Sequence, residues 1–298
     1  MSTLLIDFNN LAMRNFFTAD INATSNNPEY QLLKFQIFNQ IYWNVIKFKS
    51  KEVIIAVDNK NSWRKSYFPR YKESRKKKRN DDINWNDYFE HIETFLDNMQ
   101  NSLPFKILRI SRCEGDDIIG YLNTKINGNN IIISTDEDYK QCITKNKQVY
   151  NPFIKDFVSM KETKEQFLIK KCLMGQAKDD IFNCKTPNDY PFGMRKPGVG
   201  IKTVEKILES GLDKFLDTKQ SIKKEDYTVE FLPRDLFKRN DILINFDKIP
   251  KILTDLIQKS YDNYTLAFDI VPFLKKEGWT GYLEKIDVTE KVLSKLLP

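Results

Sequence analysis

Four short apolar runs, each closing on a carboxylate, constrain the fold of this chain more than any other feature. Leu4-Leu5-Ile6 ends at Asp7, and Val53-Ile54-Ile55-Ala56-Val57 ends at Asp58. Phe105 to Ile110 leads into Glu114-Gly115-Asp116-Asp117, and Ile131-Ile132-Ile133 leads into Ser134-Thr135-Asp136-Glu137-Asp138. Runs that are apolar throughout suit strands buried on both faces, as in a mostly parallel sheet covered by helices. The C-terminal ends of such strands share one edge, and that edge is where open α/β sheets bind ligands. The sequence therefore predicts an α/β domain with its acids gathered at one sheet edge.

A carboxylate after one strand is ordinarily a turn residue or a helix cap. Four such positions, joined by Asp138 and Asp179, exceed what capping explains. Left alone they would repel one another, and some would stay protonated. Divalent cations remove that conflict, and oxygen-only ligands favour magnesium or manganese over zinc.

Other features narrow the class. The chain has 298 residues, 41% hydrophobic and 13% aromatic, which suits a globular protein rather than a disordered one. No apolar run approaches the roughly 20 residues that span a bilayer. The N-terminus enters a strand that carries Asp7, so no signal peptide is expected. Cys113, Cys142, Cys172 and Cys184 lack close or metal-type spacing, and a reduced, cytoplasmic protein is the simplest reading. The single histidine, His91, falls in an amphipathic helix as a surface or core residue. A net charge of +7 beside an acidic cluster places the positive charge elsewhere and points to a polyanionic partner.

Further along, helices are expected over 30–48, 85–100 and 161–174, a connection containing one helical turn over 9–27, and a short strand at 148–150. Residues 60–79 hold ten Lys or Arg against the single acid Glu73, with Trp63, Tyr67, Phe68 and Tyr71 interleaved. These rings follow neither helical nor strand period, so the segment reads as a nucleic-acid face, cations for phosphates and rings for bases. The bland alternative is a solvated basic loop. Residues 181–195 read as an irregular connection. Gly198-Val199-Gly200-Ile201-Lys202-Thr203 then lets backbone approach a phosphate at a helix start, without the glycine spacing of a Walker A loop. The remainder to residue 298 reads as helical.

With these residues in view the chain resembles the flap endonuclease (5′-nuclease, 5′-3′ exonuclease) family, and within it the T-even phage type of ribonuclease H. The resemblance rests on Ile6-Asp7, Val57-Asp58, Tyr71-Lys72-x-x-Arg75, Glu114-Gly-Asp-Asp117, Ser134-Thr-Asp-x-Asp138, Asp179 and the glycine hairpin, in that order. It implies a PIN-like domain over 1–180 that carries a basic arch at 60–90. A helical DNA-binding domain over 181–298 would follow, with a helix-three-turn-helix (helix-hairpin-helix-type) motif at 196–208. By the same resemblance Asp7, Asp58, Glu114, Asp116, Asp117, Asp136, Asp138 and Asp179 hold two Mg²⁺, for which Mn²⁺ can substitute. Lys72 and Arg75 would act on the scissile phosphate alongside the acids, Asp116 and Asp136 foremost. Arg64, Tyr71, Lys72, Arg75, Gly198, Gly200, Lys202 and Thr203 would contact DNA, with K⁺ at the hairpin. The family usually has Gly-Asp where this chain has Gly175-Gln176, which implies a weaker second metal site.

The implied activity is two-metal hydrolysis of phosphodiesters in RNA–DNA and DNA duplexes, removing RNA primers and 5′ flaps during replication. Implied partners are duplex DNA with a flap, nick or primer, a single-stranded-DNA-binding protein and a sliding clamp. The protein would act as a monomer in the cytoplasm, that of the host if phage-encoded. Rival readings are a PIN-type single-strand ribonuclease and a catalytically silent DNA-binding protein.

Overall fold

The computed structural model describes residues 1–18, 30–78, 83–191, 194–224 and 227–297. A six-stranded sheet has the order β3-β2-β1-β4-β5-β6, where β1 is Ser2–Asp7, β2 Ser50–Val57, β3 Lys106–Arg109, β4 Asn129–Ile133, β5 Lys147–Asn151 and β6 Asp156–Phe157. All pairings are parallel except β5–β6. Leu4, Leu5 and Ile6 are wholly buried, as are Ile54, Ile55 and Ala56, because successive side chains enter the cores on opposite faces. Each such Leu or Ile contributes roughly 1.5–3 kcal/mol of burial.

The acids sit where they do because of register. Ile6 lies beside Ile55 and Ile133, and Asp7 lies beside Ala56. Asp7 therefore ends the central strand with Asp58 just beyond one neighbour and Ser134 just beyond the other. The order reverses at β1, so this edge is a topological switch point.

The single helical turn expected after β1 is instead a full helix, Phe8–Thr18. Phe8, Leu11, Ala12 and Phe16 repeat at helical spacing and are buried, which overrides the weak helix propensity of the asparagines. Residues 19–27 of the expected connection lie outside the described residues.

The compact units also differ from a division near residue 180. One unit comprises Met1–Asn61, Asn80–Ser159 and Pro250–Pro298, and the other Ser62–Arg79 and Met160–Ile249. Chain 250–298 joins the sheet unit because Ile270, Phe273, Leu274 and Trp279 share its core with Phe38 and Phe95. The basic segment belongs to the second unit because Phe68 and Tyr71 pack with Phe167, Leu168, Phe182 and Leu243. The second unit also contains a hairpin, β7 Gln220–Lys224 and β8 Tyr227–Phe231, in chain expected to be helical. The alternation Tyr227-Thr228-Val229-Glu230-Phe231 carried that signal. Among the described residues no helix is long and apolar enough to cross a membrane.

Candidate active site

In the sheet unit the acids form an electrostatically coupled edge. Asp7 is nearly buried, and its carboxyl is pushed up to about 7, mainly by burial and then by the charges of Asp58 and Asp136. Ser134 Oγ donates to Asp7 Oδ2 at 2.9 Å, and the Asn10 N–H donates to Oδ1 at 3.2 Å. Asp58 Oδ1 accepts the N–H of Gly115 at 2.7 Å. Asp136 Oδ1 accepts the N–H of Asp138 at 3.0 Å. Tyr139, wholly buried, has its phenol raised well above the ordinary value by burial and then by Asp7, Asp116 and Asp136.

Glu114, Asp116 and Asp117 arrive on the first turn of the Gly115–Lys125 helix. Gly115 fits closely there, since a Cβ would lie 3.2 Å from Ala56 O and 3.3 Å from Asp58 Oδ1, tight enough that a neighbour would have to shift by a few tenths of an ångström. Asp117 also caps its helix, accepting the Glu114 N–H at 2.9 Å, so part of its role is structural. Among the described residues no three carboxyl, imidazole or thiol groups form a finished ligand set. At this edge Asp58 and Asp136 act on the Asp7 carboxyl, and backbone and side-chain donors hold all three.

The second unit holds Asp179. It is buried on a 3₁₀ turn, Ala177–Asp179, and its Oδ1 lies 2.6 Å from the Arg75 guanidinium and 4.0 Å from Lys72 Nζ. Lys72 adopts a left-handed backbone (φ 55°), fixed by its N–H bond to Asp179 O at 2.9 Å. Strain of that kind in a bulky residue gathers at functional sites. Gln176 is buried, bridged through its backbone to Ile181.

Two residues expected to touch DNA do not face solvent. Arg64 is 2% exposed and donates from Nε to Leu243 O at 2.8 Å, with Trp63 against its guanidinium. Tyr71 is likewise 2% exposed. The aromatics of this segment are thus mostly core, with only Tyr67 exposed. Their period is broken because a five-residue helix, an extended Phe68 and a 3₁₀ turn follow one another. At the glycine hairpin, Gly198, Gly200 and Lys202 are exposed at the start of the Ile201–Ser210 helix, and Val199 anchors the loop in a core with Val204 and Ile207.

A family model for the N-terminal resolvase-like domain of 5′-3′ exonucleases matches residues 2–172. The chain belongs to the 5′-3′ exonuclease family. It is similar to ribonuclease H of Enterobacteria phage T4, 28% identical, with 88% of this chain and 87% of that protein covered. It is also 28% identical to DNA polymerase I of Lactococcus lactis, where 74% of this chain spans only 25% of that longer protein. A bacteriophage T5 flap endonuclease in complex with DNA and metal ions has the same fold, with TM-score 0.66, 18% identity, and 88% of this chain and 98% of that one covered. The T5 5′-exonuclease with bound zinc gives TM-score 0.64 at 18% identity, over 89% and 98%. As a member of that family, the chain is a 5′ nuclease.

Sequence reasoning missed the residues of this 5′-3′ exonuclease that hold the acids: Asn9, Asn10, Gly115 as a donor, Ser134 and Thr135. Ser134 and Thr135 stood next to the acids and could have been found from their hydrogen-bonding capacity.

Asp7 sets a pH dependence. Its folded pKa of about 7 lies above the ordinary value of 3.8, so the native state binds the extra proton between those values. Stability is then greatest below about pH 4 for this group and is lost as pH rises through 7. With a chelator present, unfolding free energy should fall by up to about 1.4 kcal/mol per pH unit across that window from Asp7 alone. Asp7→Asn should remove this component. Denaturant titrations of both proteins from pH 5 to 8 would check it, and equal slopes would count against the assignment.

Proposed function

We propose that this 5′ nuclease hydrolyses phosphodiesters with divalent metal ions held at the sheet edge by Asp7, Asp58, Glu114, Asp116, Asp117, Asp136 and Asp138. The observation that carries the reading is the coupled edge, where a nearly buried Asp7 feels both Asp58 and Asp136. Hard oxygen donors suit magnesium, with manganese able to replace it. Bound ions would neutralise the acids, activate the attacking water and offset charge on phosphoryl oxygens. The T5 structures, one with zinc and one with DNA and metal ions, support the same reading.

The chain's own residues supply the rest. Glu114 and Asp117 fix the helix that presents Asp116, and Ser134 orients Asp7. Lys72 and Arg75 are proposed to act on the scissile phosphate, exchanging Asp179 for a phosphate oxygen. Gly198, Gly200, Lys202 and Thr203 are proposed to bind the duplex backbone, with K⁺ at that loop. Substrates would be 5′ flaps, nicks and RNA primers paired to DNA, cut during replication in the cytoplasm. A single-stranded-DNA-binding protein and a sliding clamp are the proposed replication partners.

Cleavage of a labelled 5′ flap with and without Mg²⁺ tests the reading; equal cutting in excess chelator would overturn it. The two contact regions should separate. Lys72→Ala should lower the single-turnover rate on the order of a hundredfold, as for a lost transition-state donor. Lys202→Ala should instead weaken binding and flatten its salt dependence by up to about 0.9 unit, one phosphate contact. Equal, modest losses of affinity in both variants, with no rate effect, would count against the role of Lys72.

A further inference from the structure

Two adjacent asparagines tie together the ends of three strands. Asn9 Oδ1 accepts the N–H of Asp58 at 2.8 Å, reaching the end of β2. Asn10 Oδ1 accepts the N–H of Thr135 at 3.0 Å and its hydroxyl at 2.9 Å, reaching the end of β4. The N–H of Asn10 meets Asp7 Oδ1 at 3.2 Å, so the same residue also orients the acid of β1. Both asparagines lie in the first turn of the Phe8–Thr18 helix, which starts directly after β1. One rigid element thus reaches to both neighbouring strands.

These bonds begin where the sheet ladders stop. The β1–β2 ladder ends at Asp7 beside Ala56, and the β1–β4 ladder ends at Ile6 beside Ile133. Below that level backbone pairing fixes the strand separation. Beyond it the strands twist apart, and like charges on Asp7, Asp58 and Asp136 push in the same direction. The asparagine amides oppose that spread. Asparagine suits the task chemically: it is a neutral acceptor that adds no further negative charge, and its reach exceeds that of serine.

We infer that Asn9 and Asn10 are positioning residues that set the separation of Asp58, Asp7 and Asp136, and thereby the affinity for divalent ions. This rests on the proposed metal-dependent reading. The test is Mn²⁺ binding to the full chain by isothermal titration calorimetry, with the Mg²⁺ dependence of flap cleavage as a second readout. Asn9→Ala and Asn10→Ala should each raise the Mn²⁺ dissociation constant about tenfold, the scale of lost outer-shell partners. Thr135→Val, which removes only the hydroxyl leg, should raise it about threefold, since a second bond remains. Thr135→Ser should restore it.

Folded Asn9→Ala and Asn10→Ala proteins that bind Mn²⁺ within twofold of wild type would overturn the inference and leave the metal reading standing. So would a lower melting temperature in chelator with an unchanged dissociation constant, which marks a merely structural role. Should the alanine variants fail to fold, the Thr135→Val and Thr135→Ser pair decides, with equal binding by both counting against it. Wild type that binds no Mn²⁺ would overturn the metal reading and this inference with it.

Discussion

Asp136→Asn and Asp116→Asn should each lower flap cleavage at least about a thousandfold while leaving DNA binding intact or tighter. The amide is isosteric, so Asp136→Asn keeps an acceptor for the Asp138 N–H that Asp136 now bonds at 3.0 Å, and the turn is retained. What changes is charge. Asp136 is one of the two acids that raise the Asp7 carboxyl, so its removal should bring Asp7 back towards the ordinary carboxylate range. The variant should then be at least as stable as wild type in chelator, and it should have lost Mn²⁺ affinity. Asp117→Asn forms an informative contrast. Asp117 receives the Glu114 N–H at 2.9 Å in the first helical turn, and although the amide keeps that acceptor, the helix N-terminus loses a favourable negative charge and with it about 0.5 kcal/mol of stability. Single-turnover cleavage, calorimetric metal binding and filter binding of the flap would read these separately. Full-rate cleavage by purified Asp136→Asn would remove the edge acids from the mechanism.

What could be read from the sequence was whatever depended on local pattern. β1, β2 and β4 are apolar on both faces, so neither period nor propensity competes with strand, and their terminal acids are visible as an ordered set. The glycine hairpin was legible for the same local reason. Asn9 and Asn10 were not, because an asparagine-rich stretch resembles a loop until Phe8, Leu11, Ala12 and Phe16 are seen to form one buried stripe. The burial of Arg64 was not legible, because a cation in a basic segment is ordinarily solvated, whereas here Leu243, distant in sequence, supplies an acceptor. The return of Phe273 and Trp279 to the core around Phe38 and Phe95 is likewise non-local, and nothing in residues 250–298 alone announces it.

Gly175→Ala should cost about 4 kcal/mol or more, the largest stability loss expected of a methyl group added to any described glycine of the second unit. Gly175 closes the Lys164–Met174 helix at φ 67°, ψ −166°, a region essentially reserved for glycine. A Cβ there would lie 2.4 Å from Ile181 O, 2.7 Å from Phe182 C and 2.8 Å from Asn183 N, all backbone atoms that no rotamer change can move. Relief requires opening the bridge in which Gln176 and Ile181 exchange bonds of 2.9 and 3.0 Å. Phe182, next in the chain, cannot yield easily, since its carbonyl accepts from Asn240 and Arg239. The bridge brackets the turn that presents Asp179 to Arg75 and Lys72, so rate should fall together with stability. Two control glycines separate the causes. Gly128 has φ 94° with open space around its Cβ position, so Gly128→Ala carries the conformational cost alone, about 1 kcal/mol. Gly198 has neither positive φ nor a close neighbour, so Gly198→Ala should leave stability unchanged and report only on DNA approach. Denaturant titration, with hydrogen exchange at the Gln176 and Ile181 amides as a local readout, would rank the three. A Gly175→Ala protein within about 1 kcal/mol of wild type, with both amides still protected, would mean that this backbone relaxes freely and does not hold Asp179 in place.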